Sequence, residues 1–318
     1  MTYEAELAGI GRRADVDLAD LTVARDALAA QVGELTGTVA SLTAANVEYA
    51  AKVLTLEARI RELEDIISPP PPPPPPTTLF GVTVTGAVRK NYTDLHSKVG
   101  VSRVFSAGTT NWSQEDQHKA FPNSKWAVSN SYALSEAALP KYLATIPDGD
   151  KAKIVAYADG HELEHPDKNL RAADVKARVR RTAPIIRSFG LRVAWCMMGY
   201  SLRNDDWLDW VDPDDVDVLC FDKYNSGNKK NPPVYQDPAD MVGKAVAASK
   251  RFGKPWAFWE TGTNQFGDQA ARVAWVKALR AEIIRQGGEC AIWFDRRSTS
   301  GSSWDASLDR QSAEAWLG

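Results

Sequence analysis

The sequence predicts an α/β protein: a (β/α)8 barrel preceded by a parallel coiled-coil rod and a polyproline linker. Three observations carry that expectation. Eight apolar, strand-like runs alternate with amphipathic helical stretches between residues 79 and 318. A heptad seam runs unbroken through residues 7–67, and eight consecutive prolines, Pro69 to Pro76, separate the two. The expected boundaries are a coiled-coil oligomerisation rod over 1–68, a linker over 69–78 and a TIM barrel over 79–318.

The rod comes first. Leu7, Gly11, Ala14, Leu18, Leu21, Arg25, Leu28, Val32, Leu35, Val39, Leu42, Asn46, Tyr49, Val53, Leu56, Ile60, Leu63 and Ile67 recur in alternating steps of three and four. With Leu18 at a, Val32, Val39, Val53 and Ile60 are also a positions and leucine fills most d positions. Lys52 and Arg59 fall at g, and Glu57 and Glu64 at the following e positions. Opposite charges then meet when identical chains run parallel and in register, so a homo-oligomer through residues 7–67 is expected. β-Branched a positions, d leucines and Asn46 favour a dimer, whereas Thr22, Ala24, Ala29, Thr36 and Thr38 at e and g widen the apolar seam and permit a trimer. The rod would be about 90 Å long.

The prolines stop the helix near Ser68, because they lack an amide N–H and fix φ. The tract is expected to run as a polyproline II spacer of roughly 25 Å.

Beyond it, the strand-like runs are Phe80–Val84, Val101–Phe105, Trp126–Ser129, Ile154–Ala158, Arg192–Met197, Val216–Phe221, Pro255–Trp259 and Cys290–Phe294. Continuous apolar runs suit strands buried on both faces of a parallel sheet. The clearest helical stretches are Ala172–Phe189, Pro238–Phe252 and Asp268–Gln286, the last with Asp268 as N-cap and Gly287-Gly288 as its stop. Eight strands argue for closure. A doubly wound open sheet usually has fewer and begins with a glycine-rich turn, which this chain lacks.

Composition excludes several classes. The chain carries 38 Lys and Arg against 41 Asp and Glu, so no nucleic-acid footprint is expected. No run approaches the roughly 20 apolar residues of a membrane span, and the opening MTYEAELAGIGRRADVD shows neither an apolar core nor a cleavage site of a secretory signal. Cys196, Cys220 and Cys290 sit in apolar runs without a CxxC, so neither a disulfide framework nor a zinc site is expected. No metal-ligand spacing, phosphate loop or G-x-S-x-G elbow occurs, and no metal or cofactor is anticipated.

Chemistry is expected at the carboxyl ends of the strands. The seventh strand-like run ends in Trp259-Glu260-Thr261-Gly262, and the fourth in Asp159-Gly160-His161-Glu162-Leu163-Glu164. Acids on two strands that face each other across a barrel mouth are what glycoside hydrolysis needs: an acid from the fourth-strand segment to protonate the leaving oxygen and Glu260 as nucleophile, roughly 5–5.5 Å apart for retention. Glu164 is the second candidate for the acid. Asp159, Asp222 and Asp295 also end strands, and Trp112, Trp195, Trp207, Trp210 and Trp304 are candidate subsite residues.

On these residues the stretch from about 79 to 318 resembles clan A glycoside hydrolases. It is most similar to family 26 and to the related barrels of actinobacteriophage minor tail proteins. The resemblance rests on His161-Glu162 after the fourth strand, Asp222-Lys223-Tyr224 after the sixth, Glu260-Thr261-Gly262 after the seventh and Trp293 in AIWFD on the eighth. It implies that Glu162 is the acid/base and Glu260 the nucleophile, that Tyr224 holds Glu260, and that Trp293 is an aromatic platform for a sugar. His161, Asp222 and Glu164 are expected around the substrate. After the His-Glu pair the chain reads Leu163-Glu164-His165-Pro166 rather than an aromatic-rich loop, which speaks against mannan. The resemblance further implies a virion tail location, other tail proteins as partners and host cell-envelope polysaccharide as substrate, met at the host cell surface. A catalytically silent carbohydrate-binding module and a purely structural tail component are the alternatives.

Overall fold

The computed structural model describes residues 3–67, 77–84, 94–106, 111–115, 117–130, 134–165, 168–204, 206–225, 227, 230–295 and 305–318. The polyproline tract and Trp304 lie outside the described residues. The chain divides into two compact units, Met1–Ile67 and Ser68–Gly318.

The first unit is one helix, α1 (Tyr3–Ile67). In this single chain the described seam leucines and valines are half to two-thirds exposed, Val53 at 52% and Leu21 at 67%. The threonines of the seam turn their hydroxyls onto their own helix: Thr22 Oγ1 donates to the Leu18 carbonyl at 2.8 Å, Thr36 to Val32 at 2.7 Å and Thr43 to Val39 at 2.8 Å. Those hydroxyls therefore need no outside partner. Lys52 pairs with Glu48 one turn back, at 2.6 Å.

The second unit is built on eight parallel strands. They are β1 (Leu79–Val84), β2 (Val101–Ser106), β3 (Lys125–Asn130), β4 (Ile154–Ala158), β5 (Ala194–Met198), β6 (Val218–Tyr224), β7 (Trp256–Gly262) and β8 (Cys290–Asp295). Their order is β4-β3-β2-β1-β8-β7-β6-β5, and the ring nearly closes through a parallel bridge between Tyr157 on β4 and Val193 just before β5. Each strand lies within three residues of its sequence expectation at either end. Helices α2 (Gln117–Ala120), α3 (Leu139–Ala144), α4 (Asp148–Lys151), α5 (Ala172–Ser188), α6 (Gly199–Asn204), α7 (Pro238–Phe252), α8 (Gln269–Arg285) and α9 (Arg310–Leu317) follow the strands. Asp268 caps α8, accepting from the Ala271 N–H at 2.8 Å. Among the described residues no helix is long and apolar enough to cross a membrane.

Two apolar cores follow from the period-2 alternation of strand side chains. Outward residues such as Phe80, Val104, Trp126, Phe258 and Trp293 join the helices in the larger core. The inner core is made of small residues, among them Ala127, Ala156, Ala158, Ala194, Cys196, Cys220 and Ala257, with Val101, Ile292 and Trp259. Small side chains at these positions leave room inside the barrel for two large ones, Trp259 and Arg103. All three cysteines are free and buried there.

Candidate active site

β7 departs from regular pairing at the residue that matters most. Phe258 pairs with Phe221 on β6, but the next pair is Glu260 with Asp222, so Trp259 is an extra residue with no partner. Pairing with β8 shows the same excess, since Phe258 meets Ala291 and Thr261 meets Trp293. Strict alternation from Trp256 and Phe258 would send Glu260 outward. A β-bulge turns Trp259 and Glu260 inward together.

Glu260 there meets an ion cluster. Arg103 Nη1 donates to Asp222 Oδ1 at 2.7 Å and lies 3.3 Å from Glu260 Oε1. Arg103 Nη2 donates to Ser129 Oγ at 3.0 Å, and the guanidinium is flanked by the rings of Phe105 (4.7 Å) and Trp259 (5.4 Å). The Tyr224 hydroxyl donates to Glu260 Oε2. The Cys196 thiol donates to Asp222 Oδ1 at 3.0 Å. One carboxylate oxygen from each of Glu162, Asp222 and Glu260 lies within 4.8 Å of the others. Three acids so close suit a divalent cation, but Arg103 stands among them and supplies the positive charge that an ion would bring.

Electrostatics separate these groups. Burial works against the charge of Arg103, yet Asp222, Cys196 and Glu260 hold its pKa well above the ordinary value. Burial, and then the charge of Glu260, raise the pKa of Glu162, with Arg103 and Lys168 opposing. Glu162 is thus biased toward the protonated form an acid catalyst requires. Burial lifts Asp222 to about 6 against the pull of Arg103. His161, its ring 5.1 Å from that of Phe105, is lowered to about 3 by burial and then by Arg103 and Lys168, so it is neutral at ordinary pH. Burial and Glu260 raise Tyr224 far above the phenol range, keeping its O–H a donor.

The structure therefore brings Glu162, Glu260, Asp222 and Tyr224 together and sets His161, half-buried, at the same mouth. Three expectations need correction. Asp222 does not face a substrate: its side chain is fully buried beneath Arg103. Glu164 is 5% exposed, with Oε1 taken by the Met198 N–H, so it does not reach a sugar. Trp293 points away from the mouth. It is fully buried in the outer core, its indole N–H donates to the Ala306 carbonyl at 2.7 Å, and its ring packs edge-on against Trp275 and Trp316. The neighbouring Phe294, one position on, faces the site instead, 6.4 Å from the Tyr224 ring and half-buried.

Other candidates are structural. Asp159 pairs with Arg178 of α5 at 2.9 Å, and Asp295 accepts from the Leu308 N–H at 2.9 Å. Trp112, Trp195 and Trp207 are buried in the core, and Trp210 packs against it. Sequence reasoning missed Arg103. The available signal was a lone cation inside the apolar run Val101-Ser102-Arg103-Val104-Phe105, since a buried arginine needs carboxylates nearby.

Neither a family model nor a curated protein matches the sequence. Solved structures do match in fold. The catalytic domain of an endo-β-1,4-mannanase of glycoside hydrolase family 26 from Bacillus sp. JAMB-750 superposes with TM-score 0.50 at 13% identity, over 76% of this chain and 85% of that one. A family 17 β-1,3-glucanosyltransferase from Rhizomucor miehei gives TM-score 0.53 at 10% identity, over 73% and 92%. A family 128 endo-β-1,3-glucanase from Sorangium cellulosum gives 0.51 at 14%, over 75% and 97%. What this chain shares with these glycoside hydrolases is their (β/α)8 barrel architecture.

Proposed function

We propose that the barrel is a retaining glycoside hydrolase, with Glu162 as acid/base and Glu260 as nucleophile. The observation that carries the reading is the closeness of the two acids: oxygens of Glu162 and Glu260 lie within 4.8 Å. That separation suits direct attack on an anomeric carbon. A pair of oxygens that close fits the roughly 5–5.5 Å spacing of retaining enzymes better than the roughly 6.5–9.5 Å at which inverting enzymes seat a water. The unequal surroundings of the two acids support the division of labour. Glu260 has Arg103 and the Tyr224 hydroxyl to stabilise its anion, whereas burial and a like charge favour a proton on Glu162. In the first step Glu162 protonates the leaving oxygen while Glu260 bonds to the anomeric carbon. In the second, Glu162 takes a proton from water, which displaces Glu260 and restores the anomeric configuration.

We further propose that α1 joins two or three copies in parallel and that the protein is a phage tail-tip component acting on host cell-envelope polysaccharide. The heptad seam and its complementary e and g charges support self-association. The tail assignment rests on the resemblance to minor tail proteins, and the rod-spacer-head order of the sequence motivates the display of several heads. Several linked heads would raise avidity for a repetitive surface without new contacts.

The test is incubation with host envelope glycan and with β-glucans and β-mannans, scored for new reducing ends. An adduct from activated 2-fluoro glycosides, located by mass spectrometry, should fall on the peptide carrying Glu260. Activity that survives Glu260→Gln rejects the nucleophile. Binding without products from any glycan rejects the hydrolase in favour of a sugar-binding module.

A further inference from the structure

The turn that carries Glu162 is held in an uncommon shape. Gly160 has φ +110 and Glu162 φ +49, and the left-handed region is unfavourable for a residue with a side chain. Surrounding contacts must hold such a residue in place. Leu163 supplies one: it is buried under Gly160, where an added Cβ would come within 2.7 Å of Leu163 Cδ1. Further links run to β5 and the start of α6. The Glu162 N–H donates to the Cys196 carbonyl at 3.3 Å. Glu164 makes two more. Its Oε1 accepts from the Met198 N–H, and its backbone carbonyl accepts from the Tyr200 hydroxyl at 2.8 Å.

Glu164 Oε2 is buried and has no hydrogen-bond partner among the described residues. Burial lifts the carboxyl to about 7. The Met198 N–H opposes that rise, and the charges of Glu162 and Asp206 add to it. Enclosed as it is, this acid faces the peptide edge of β5 rather than a substrate.

We infer that Glu164 is a positioning residue: its carboxyl group pins the Gly160–His165 turn to β5 and so keeps Glu162 aimed at Glu260 across the barrel mouth. The inference rests on the reading of Glu162 as acid/base. Misplacing Glu162 harms both steps, but kcat/KM reports the first, where the need for its proton depends on the leaving group, and this gives the test its selectivity.

Aryl glycosides of the sugar that the wild type cleaves separate the steps by leaving group. A dinitrophenolate leaves without protonation, whereas a methylphenolate does not. Glu164→Leu, which keeps the bulk and removes the acceptor, should lose about 100-fold in kcat/KM on the methylphenyl glycoside and less than about 5-fold on the dinitrophenyl one. Glu164→Gln keeps an acceptor for Met198 and should stay within about 3-fold of wild type on both. Tyr200→Phe, which removes one hydroxyl, should show a smaller loss with the same leaving-group bias. Equal losses on both glycosides, or none, overturn the inference. Crystal structures of the Leu and Gln variants answer without activity. The Gln variant should keep the wild-type turn, and the Leu variant should not. A Leu variant whose Glu162 keeps φ near +49 overturns the inference. If the wild type cleaves no glycoside at all, the hydrolase reading fails, while these structures still decide whether Glu164 holds the turn.

Discussion

Asp222 and Glu260 are partners across the β6–β7 pairing, and both turn to the same guanidinium nitrogen, Arg103 Nη1, at 2.7 and 3.3 Å. One cation inside the barrel thus fixes a carboxylate that never meets solvent and another that faces the mouth. Removing the cation should damage both. Arg103→Leu is expected to destabilise the fold by about 3–5 kcal/mol, because Asp222 is left buried without a counter-charge. The double variant with Asp222→Asn should recover most of that loss in urea unfolding.

Tyr224 donates to the other oxygen of Glu260. Tyr224→Phe removes a donor to an ionised acceptor, an interaction of about 1.5–3 kcal/mol, or roughly 10- to 100-fold. The loss should fall on kcat with KM little changed, since the bond acts on the reacting group. Steady-state kinetics on a soluble glycoside would check it.

The two aromatic residues of β8 make opposite predictions. Trp293→Phe should lower stability by about 1–3 kcal/mol through a lost buried hydrogen bond and lost volume, with glycan affinity unchanged. Phe294→Ala should weaken glycan binding by about 3- to 10-fold, the worth of one aromatic contact. Affinity electrophoresis beside thermal melts separates the two.

Glu164 carries a pH dependence of known sign. Its pKa rises from 4.5 to about 7 on folding, so the folded state binds the proton more tightly. Its stabilising contribution is complete below about pH 4.5 and is lost as pH rises through about 7, a change of about 3 kcal/mol. Glu164→Gln cannot ionise and should be the more stable protein at pH 8, with the difference vanishing near pH 4. Urea midpoints across that range would show it.

The rod can be tested apart from the barrel chemistry. Leu35 and Leu42, both d positions, are 65% and 64% exposed in the single chain. Leu35→Asp with Leu42→Asp should reduce the mass seen by light scattering to that of one chain, because charges in the seam prevent association. The melting of the barrel should stay where it was.

Residue pattern alone yields the number and order of the strands, the Asp268 cap of α8, the heptad pattern of α1 and the two acids near strand ends. These are local properties, written in the period of apolar residues and in the capping and turn residues at segment ends. Which way side chains face follows from strand pairing in the closed ring. A strand alternates every residue, so one extra residue or a miscount of one reverses every orientation beyond it. The bulge at Trp259 brings Glu260 inside, where plain alternation would have expelled it. One position on β8 separates Trp293, locked in the outer core, from Phe294 at the mouth. Arg103 owes its place to Asp222 and Glu260, both more than a hundred positions away in the chain, and Glu164 owes its role to the peptide edge of β5. Neither relationship exists until the ring of strands closes.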